Sequence, residues 1–429
     1  MEMNRLGLRS RWITRSDWPH VCRPIFLGAV LLSAPAVLGQ PTITNIGVLP
    51  GGFYSTGNAA SSDGSIVTGY SDAANGGRAF RWTVTGGLVS LGTLPTGTFS
   101  YALDISADGS VVAGTGDSST GNRAFRWLAN GGMVNLGTLP GGTQSFAQAI
   151  SADGSVVAGT GDSVFGTAAF RWTVAGGIQM IDQLPGGITT QAFGMSMDGS
   201  AIAGTAETGA GSRAFRWTQA SGTVDLGILA SGTFSRGLAM SNDGSTVTGF
   251  GDVLGVNRAF RWKRGSATGM QSLGVIPGGV SSFSVGHAVG PDGWTILGQS
   301  DTAFGNCAFI WTPTSGMVDL NVYLAGRAVD LTGWTLTDCR GMSADGTTLV
   351  GAGTFNGVQR AWVVRGLTPL LAPPVCPADF DHNGVLAASD IFAFLNAWFA
   401  VDAGADFNGS GAVSIQDIFD FLAAWFSGC

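Results

Sequence analysis

Lysine is almost missing from this chain of 429 residues: Lys263 is its one copy, and glutamate appears only as Glu2 and Glu207. With charged residues at 11% and a net charge of −7, there is no basic footprint for nucleic acid. Charge-rich helices are excluded over most of the length for the same reason. Histidine is equally scarce. Beyond residue 39 only His287 and His382 occur, and no Ser-His-Asp set, HExxH or Gly-rich phosphate loop with its lysine can be assembled. Five cysteines are too few for a disulfide scaffold. What is present instead is glycine, 69 copies, with 45% hydrophobic residues, a composition of strands and turns that argues against disorder.

These residues are arranged in a repeat. Asp-Gly recurs at Asp63, Asp108, Asp153, Asp198 and Asp243, each 45 residues after the last, and again at Asp292 and Asp345. A tryptophan follows 19 residues later in six units (Trp82, Trp127, Trp172, Trp217, Trp262, Trp311) and after 17 in the seventh, Trp362. Each unit reads as four short strands. The first ends at the Asp-Gly turn, where glycine accepts positive φ. The second is of the type Val-Val-Ala-Gly, the third Ala-Phe-Arg-Trp, and the fourth Val-Asn-Leu-Gly-Thr-Leu, which leaves through a Pro-Gly turn. Four strands in about 45 residues is one blade of a β-propeller, so seven units predict an all-β, seven-bladed ring over residues 42–366. Ile43–Leu49 is a fourth strand with no first three before it, and the last unit lacks a strong fourth. The N-terminal strand is therefore expected to complete blade seven and leave no open edge.

Residues 1–39 read as a secretion signal: five arginines precede the apolar run Pro24–Leu38, which is short for a membrane span. An uncleaved anchor is the alternative. The expectation is a secreted or cell-surface bacterial protein with no membrane span after cleavage. Export permits disulfides, and Cys376 and Cys429, which bracket the C-terminal region, are expected to pair; Cys307 and Cys339 lie in neighbouring blades and their pairing stays open.

Within the ring, an acid stands nine positions after each of six Asp-Gly aspartates (Asp72, Asp117, Asp162, Glu207, Asp252, Asp301), and arginines precede the tryptophans at Arg81, Arg126, Arg171, Arg216 and Arg261. A further set, Arg78, Arg123, Arg213 and Arg258, lies three residues earlier. Because they repeat, these charges are expected to be blade supports, paired as ions across the strand two–three hairpin, rather than catalytic groups. The unit with Ile310 in place of arginine should then pack differently around Asp301. Phe125 and Trp127 are expected to pack on the adjoining blade. The links into each first strand carry Tyr54, Phe99, Tyr101, Phe146, Phe234 and Phe283 among small hydroxyl residues. Such aromatics either plug the channel mouth or form a ligand face for a sugar or peptide.

After a Pro-rich exit over residues 367–375 the composition changes. Asp379, Asp381, Asn383, Val385 and Asp390 occupy positions 1, 3, 5, 7 and 12 of a calcium loop with glycine at position 6. Asp406, Asn408, Ser410, Ala412 and Asp417 repeat the pattern 27 residues later with fewer carboxylates, so that site should be weaker. Each loop runs into an apolar stripe of helical spacing: Ile391, Phe394, Leu395, Trp398 and Phe399, then Ile418, Phe421, Leu422, Trp425 and Phe426, expected to face each other as a core.

Residues 376–429 resemble a dockerin, in the short variant that ends in Gly-Cys. The resemblance implies calcium-dependent folding at two sites and docking to a cohesin-like or cell-surface partner, with loop positions 10 and 11 (Ala388, Ser389, Ile415, Gln416) helping to choose it. The Asp-Gly, Ala-Phe-Arg-Trp and Leu-Pro-Gly-Gly repeat over residues 42–365 is similar to the HAF family of bacterial extracellular repeats, which implies export and no defined activity. The combined expectation is an exported, non-catalytic binding or scaffold propeller, with a polysaccharide as leading ligand class through the link between dockerins and polysaccharide catabolism. A propeller glycan hydrolase or lyase and a structural envelope protein remain as alternatives.

Overall fold

A computed structural model describes residues 40–266, 269–277, 283–302, 305–368, 378–381, 386–408, 410 and 412–427. The expected Cys376–Cys429 disulfide, the 1–39 signal, and loop positions Asn383 and Val385 lie outside the described residues.

The repeat folds into seven four-stranded antiparallel sheets. Six take their strands in chain order; the second, for example, contains Ser100–Ile105, Val111–Ser118, Gly121–Leu128 and Gly132–Asn135. The seventh has the order Trp334–Met342, Leu349–Phe355, Val358–Arg365 and then Thr42–Gly47, with Ile43 opposite Val364. The N-terminal strand thus completes the last blade, as its sequence implies, and leaves the ring no unpaired edge there.

Local chemistry explains why each unit folds this way. At the first hairpin Gly109 adopts φ 70°, while Asp108 Oδ1 accepts from Ser110 N, Ser110 Oγ and Ser106 Oγ. In the second strand a Cβ on Gly114 would stand 2.1 Å from the Tyr101 carbonyl oxygen and 2.8 Å from the Phe125 ring. Glycine there leaves room for the Phe125 ring, fully buried in one cluster with Ile66, Ala79, Leu91 and Leu94 of blade one. The same Phe is fully buried in each of the first six blades (Phe80, Phe125, Phe170, Phe215, Phe260, Phe309), and burial of each is worth about 1.5–3 kcal/mol.

The expected ion pair of Asp117 and Arg126 across the hairpin does not form. The register sets Asp117 opposite Asn122 and Arg126 opposite Ala113, four residues apart along the ladder. Asp117 instead accepts from the Thr98 and Phe99 backbone N–H groups and Thr98 Oγ1, bracing the incoming link. Arg126 reaches the next blade, donating Nε–H to the Gly154 carbonyl at 2.8 Å, and Arg123 donates to Thr143 O at 2.6 Å. Ile310 accordingly does not alter the setting of Asp301, which still accepts from Phe283 N; it joins the core with Leu320 and Leu324.

The blades are stapled by a neutral residue that the sequence reading passed over. Ser145, fully buried at the start of its strand, accepts from Ala124 N and donates to Gly137 O of the preceding blade. Ser55, Ser100, Ser235 and Ser284 do the same. Between blades six and seven a short helix, α1 (Leu320–Ala325, N-capped by Asp319), takes over. Its Asn321 side chain accepts from Leu336 N and donates to Leu336 O. Cys307 and Cys339 are separate thiols: Asn321 Nδ2 lies 3.3 Å from Cys307 Sγ, and Cys339 Sγ faces Val350 O.

The C-terminal region holds two helices, α2 (Ala388–Phe399) and α3 (Ile415–Ser427). No helix among the described residues is long and apolar enough to cross a membrane.

Candidate functional site

The innermost strand of every blade carries a β-bulge, one residue long, at the same place. In blade two the register jumps between Ala102 and Asp104, leaving Leu103 unpaired. A bulge re-aims its extra side chain, and bulges favour functional positions. Here the seven bulged residues all line one cavity of about 230 Å³ on the ring axis. They stand five positions before each Asp-Gly aspartate, and their identity does not repeat. Asn58, Gln148, His287 and Arg340 are polar, whereas Leu103, Phe193 and Leu238 are apolar.

Three of the four polar members, His287, Arg340 and Asn58, cluster across the closure of the ring in blades six, seven and one, and Gln148 stands apart in blade three. Asp338, 4% exposed, accepts from His287 Nδ1 at 2.7 Å and from Arg340 Nε at 2.7 Å. Burial alone would raise its pKa, but the charges and hydrogen bonds of His287 and Arg340 outweigh it and hold the carboxyl below its ordinary value. An ionised Asp338 can only accept, so His287 donates through Nδ1. Its Nε2 then meets no described residue. Arg340 Nη1 donates to Asn58 Oδ1 (3.1 Å) and approaches Tyr101 Oη (3.4 Å), while Nη2 donates to no described residue. Beside them, Asp104 lines the cavity with its oxygens accepting from Ile105 N and Ile150 N; burial pushes its pKa up to about 6 against those two bonds.

The link aromatics divide. Tyr101 stacks on Tyr70 (centroids 4.9 Å apart), which meets Tyr54 at 5.5 Å, so a tyrosine row leads toward Arg340. Phe146 borders a second hollow with Phe193, Gln144 and Gln191. Phe234 packs edge-on against Phe250, and Phe99 and Phe283 are half-buried with their N–H groups held by Asp117 and Asp301. The six are therefore not one face. Tyr70, Asn58, Asp104, His287, Asp338 and Arg340 were missed, although the varying residue at a fixed offset from Asp-Gly was in plain view.

The C-terminal region is a pseudo-twofold unit built on the 27-residue repeat. Phe394 and Phe421 stack at 4.2 Å with planes 1° apart. Trp398 Nε1 donates to Ser414 O, and Trp425 Nε1 to Ala387 O, each tryptophan tying down the other loop. Asp390 and Asp417, both fully buried, each accept from two backbone N–H groups of their own loop. The oxygens of Asp379, Asp381 and Asp390 lie within 4.8 Å of one another, a set that could hold a metal ion. Three carboxylates so close repel unless a cation sits among them, so the donor set fits a hard divalent ion. In the second loop Asp406 and Asn408 bind Ser410 N, and Asn408 is also tied to Asp420, with no third acid to match Asp381. The expected helix core is corrected at one position in each stripe. The repeat-mates Phe399 and Phe426 are 74% and 77% exposed, and a second repeat-related pair, Phe392 and Phe419, is 67% and 61% exposed. Of loop positions 10 and 11, Ala388, Ile415 and Gln416 are exposed and Ser389 is half-buried.

Ring, bulged axis and closing strand define the class: a seven-bladed β-propeller with a polar pocket on its axis. No family model matches the chain, and no curated protein matches it. Among solved structures it is similar to oligogalacturonate lyase from Vibrio parahaemolyticus, at 11% identity and TM-score 0.53, covering 77% of this chain and 94% of that one. It is also similar to an oligogalacturonate lyase in complex with manganese (11%, TM-score 0.51, 75% and 92%). TolB from Acinetobacter baumannii matches at 13% identity and TM-score 0.43 over 60% of this chain, which spans 63% of the TolB chain. At such identities the likeness is one of fold.

Proposed function

We propose that the protein is an exported, non-catalytic binding propeller, with a glycan as ligand, attached through its C-terminal dockerin-like module to a cohesin-like or cell-surface partner in a calcium-dependent way. The observation that carries this reading is the duplicated apolar surface of α2 and α3. Four large phenylalanines, more than half exposed and related by the repeat, lie on helices that follow the carboxylate loops. Exposed apolar patches of this kind on a small polar module mark an interaction face. Calcium would be held by Asp379, Asp381 and Asp390, with Asn383 and the Val385 carbonyl completing the set by their loop positions, and more weakly at Asp406 and Asp417. It would supply the charge that lets the first loop close and so order the helices.

The test is calcium titration of the full chain, followed by tryptophan emission from Trp398 and Trp425 and by terbium luminescence. A chelator-reversible change that Asp381→Asn weakens at least tenfold is expected. Unchanged emission and no lanthanide uptake would overturn the module reading. The Asp338–His287 pair, with His287 lining the cavity, is the observation favouring a lyase or hydrolase. Polysaccharide cleavage abolished by His287→Gln in a folded protein would establish that alternative.

A further inference from the structure

Resting on the reading of the ring as a binding domain, we infer that the axial cavity is a receptor for a single neutral sugar ring or a polyol of that size, gripped on one side by Arg340, His287 and Asp104 and faced on the other by Phe193 and Leu238.

Three observations converge on this class. The polar side offers donors and acceptors in nearly equal number. The two N–H groups of Arg340 Nη2 can donate, while His287 Nε2 and the remaining Asp104 lone pairs can accept. A hydroxyl group donates and accepts at once, and adjacent hydroxyls on a ring suit such a mixed set. No charge there is left uncompensated: Asp338 and Arg340 neutralise each other at 2.7 Å, and the Asp104 carboxylate already accepts from the Ile105 and Ile150 N–H groups. A free anion would meet Asp338 and Asp104, and a cation would meet Arg340, so the balance selects a neutral ligand. The wall from blades four and five is apolar, matching the C–H face of a sugar, and in a seven-membered ring blade four stands across from the polar blades seven and one. A cavity of about 230 Å³ lies below the usual range of roughly 300–1,000 Å³ for ligand pockets, which fits one ring rather than a chain.

The test is ligand-detected NMR on the full chain with D-glucose, D-galactose, D-mannose, D-xylose and myo-inositol, each against glucuronate and glucosamine as charged counterparts. At least one neutral probe is expected to bind in the millimolar range, at least fivefold more tightly than the charged forms. Leu238→Trp, which fills the cavity from its wall without touching the polar cluster, is expected to abolish binding, and Arg340→Lys to weaken it at least tenfold. Tighter binding of a charged counterpart, or binding that survives Leu238→Trp, would overturn the inference. If longer glycans bind and no small probe does, the binding propeller stands and the axial receptor falls; if nothing binds, both fall.

Discussion

The two ends of the innermost strand behave oppositely. At its start the same small hydroxyl returns blade after blade: Ser55, Ser100, Ser145, Ser235 and Ser284, with Thr190 accepting from Ala169 N in the fourth blade. Three residues further on, at the bulge, no two adjacent blades carry the same residue. A closed ring needs a staple at every interface, and at all but the one that α1 bridges the hydroxyl supplies it, so closure keeps that position nearly uniform. The bulge contributes nothing to the ladder, so its side chain is free to differ, and the differences gather where Asp338 supports them. Uniformity in this molecule marks support, and departure from the repeat at the axis marks a site.

That contrast is broken most severely at Asp338. Replacing it with alanine leaves the Arg340 guanidinium without its carboxylate and His287 without its acceptor. Removing one partner of a buried pair costs about 3–5 kcal/mol, and because the Arg340 side chain is 35% exposed the lower end of that range is expected. Chemical denaturation should show it at pH 7. The sign with pH follows from the lowered pKa of Asp338: the wild-type advantage is full above the ordinary aspartate value of 3.8 and is lost as pH falls through the lower folded-state value. A difference that instead grew on acidification would mean that Asp338 is protonated in the native ring.

Ser145→Ala comes next. It strips a partner from the Ala124 N–H and another from the Gly137 carbonyl, leaving buried backbone groups unmet, at a cost of about 1–3 kcal/mol. Unlike Asp338→Ala, its effect should be flat between pH 4 and 8, because no titrating group is involved. A loss below ~0.5 kcal/mol would show that water replaces the hydroxyl and that the staple is not what holds adjacent blades.

Much of this was readable beforehand, for physical reasons. The Asp-Gly turns, the seven units and the closing strand depend on local turn chemistry and on counting, and both survive folding. The loop acids Asp379, Asp381 and Asp390 converge because their spacing sets the loop. What failed depended on register and facing. Asp117 and Arg126 look close across a hairpin until the tight turn at Ser118–Gly121 fixes their true rows. Phe399 and Phe426 fit a helical stripe by count, yet each helix has one neighbour in the module, which covers Phe394 and Phe421 and leaves the edge of the stripe outside. The varying position five residues before Asp-Gly can be counted off in the sequence, but its bulge toward the axis cannot, because an unpaired residue is a property of two strands together.

The smallest effect separates a departure with a purpose from one without. The turn after the fourth strand requires positive φ at its third residue: Gly141 takes φ 73° there, but Ser231 holds φ 63° with a side chain that the conformation disfavours. In the αL region a non-glycine residue costs about 1–2 kcal/mol, of which glycine's greater freedom in the unfolded chain returns about 0.5–1. Ser231→Gly should therefore stabilise the ring by at most about 1 kcal/mol, seen as a raised denaturation midpoint at unchanged slope. Restoring the repeat's own residue thus helps on the rim, where the departure is only strain. The same restoration at the axis has no consensus to return to. Should Ser231→Gly destabilise the protein, the serine would be making a contact of its own, and uniformity would lose its value as a guide to support in this ring.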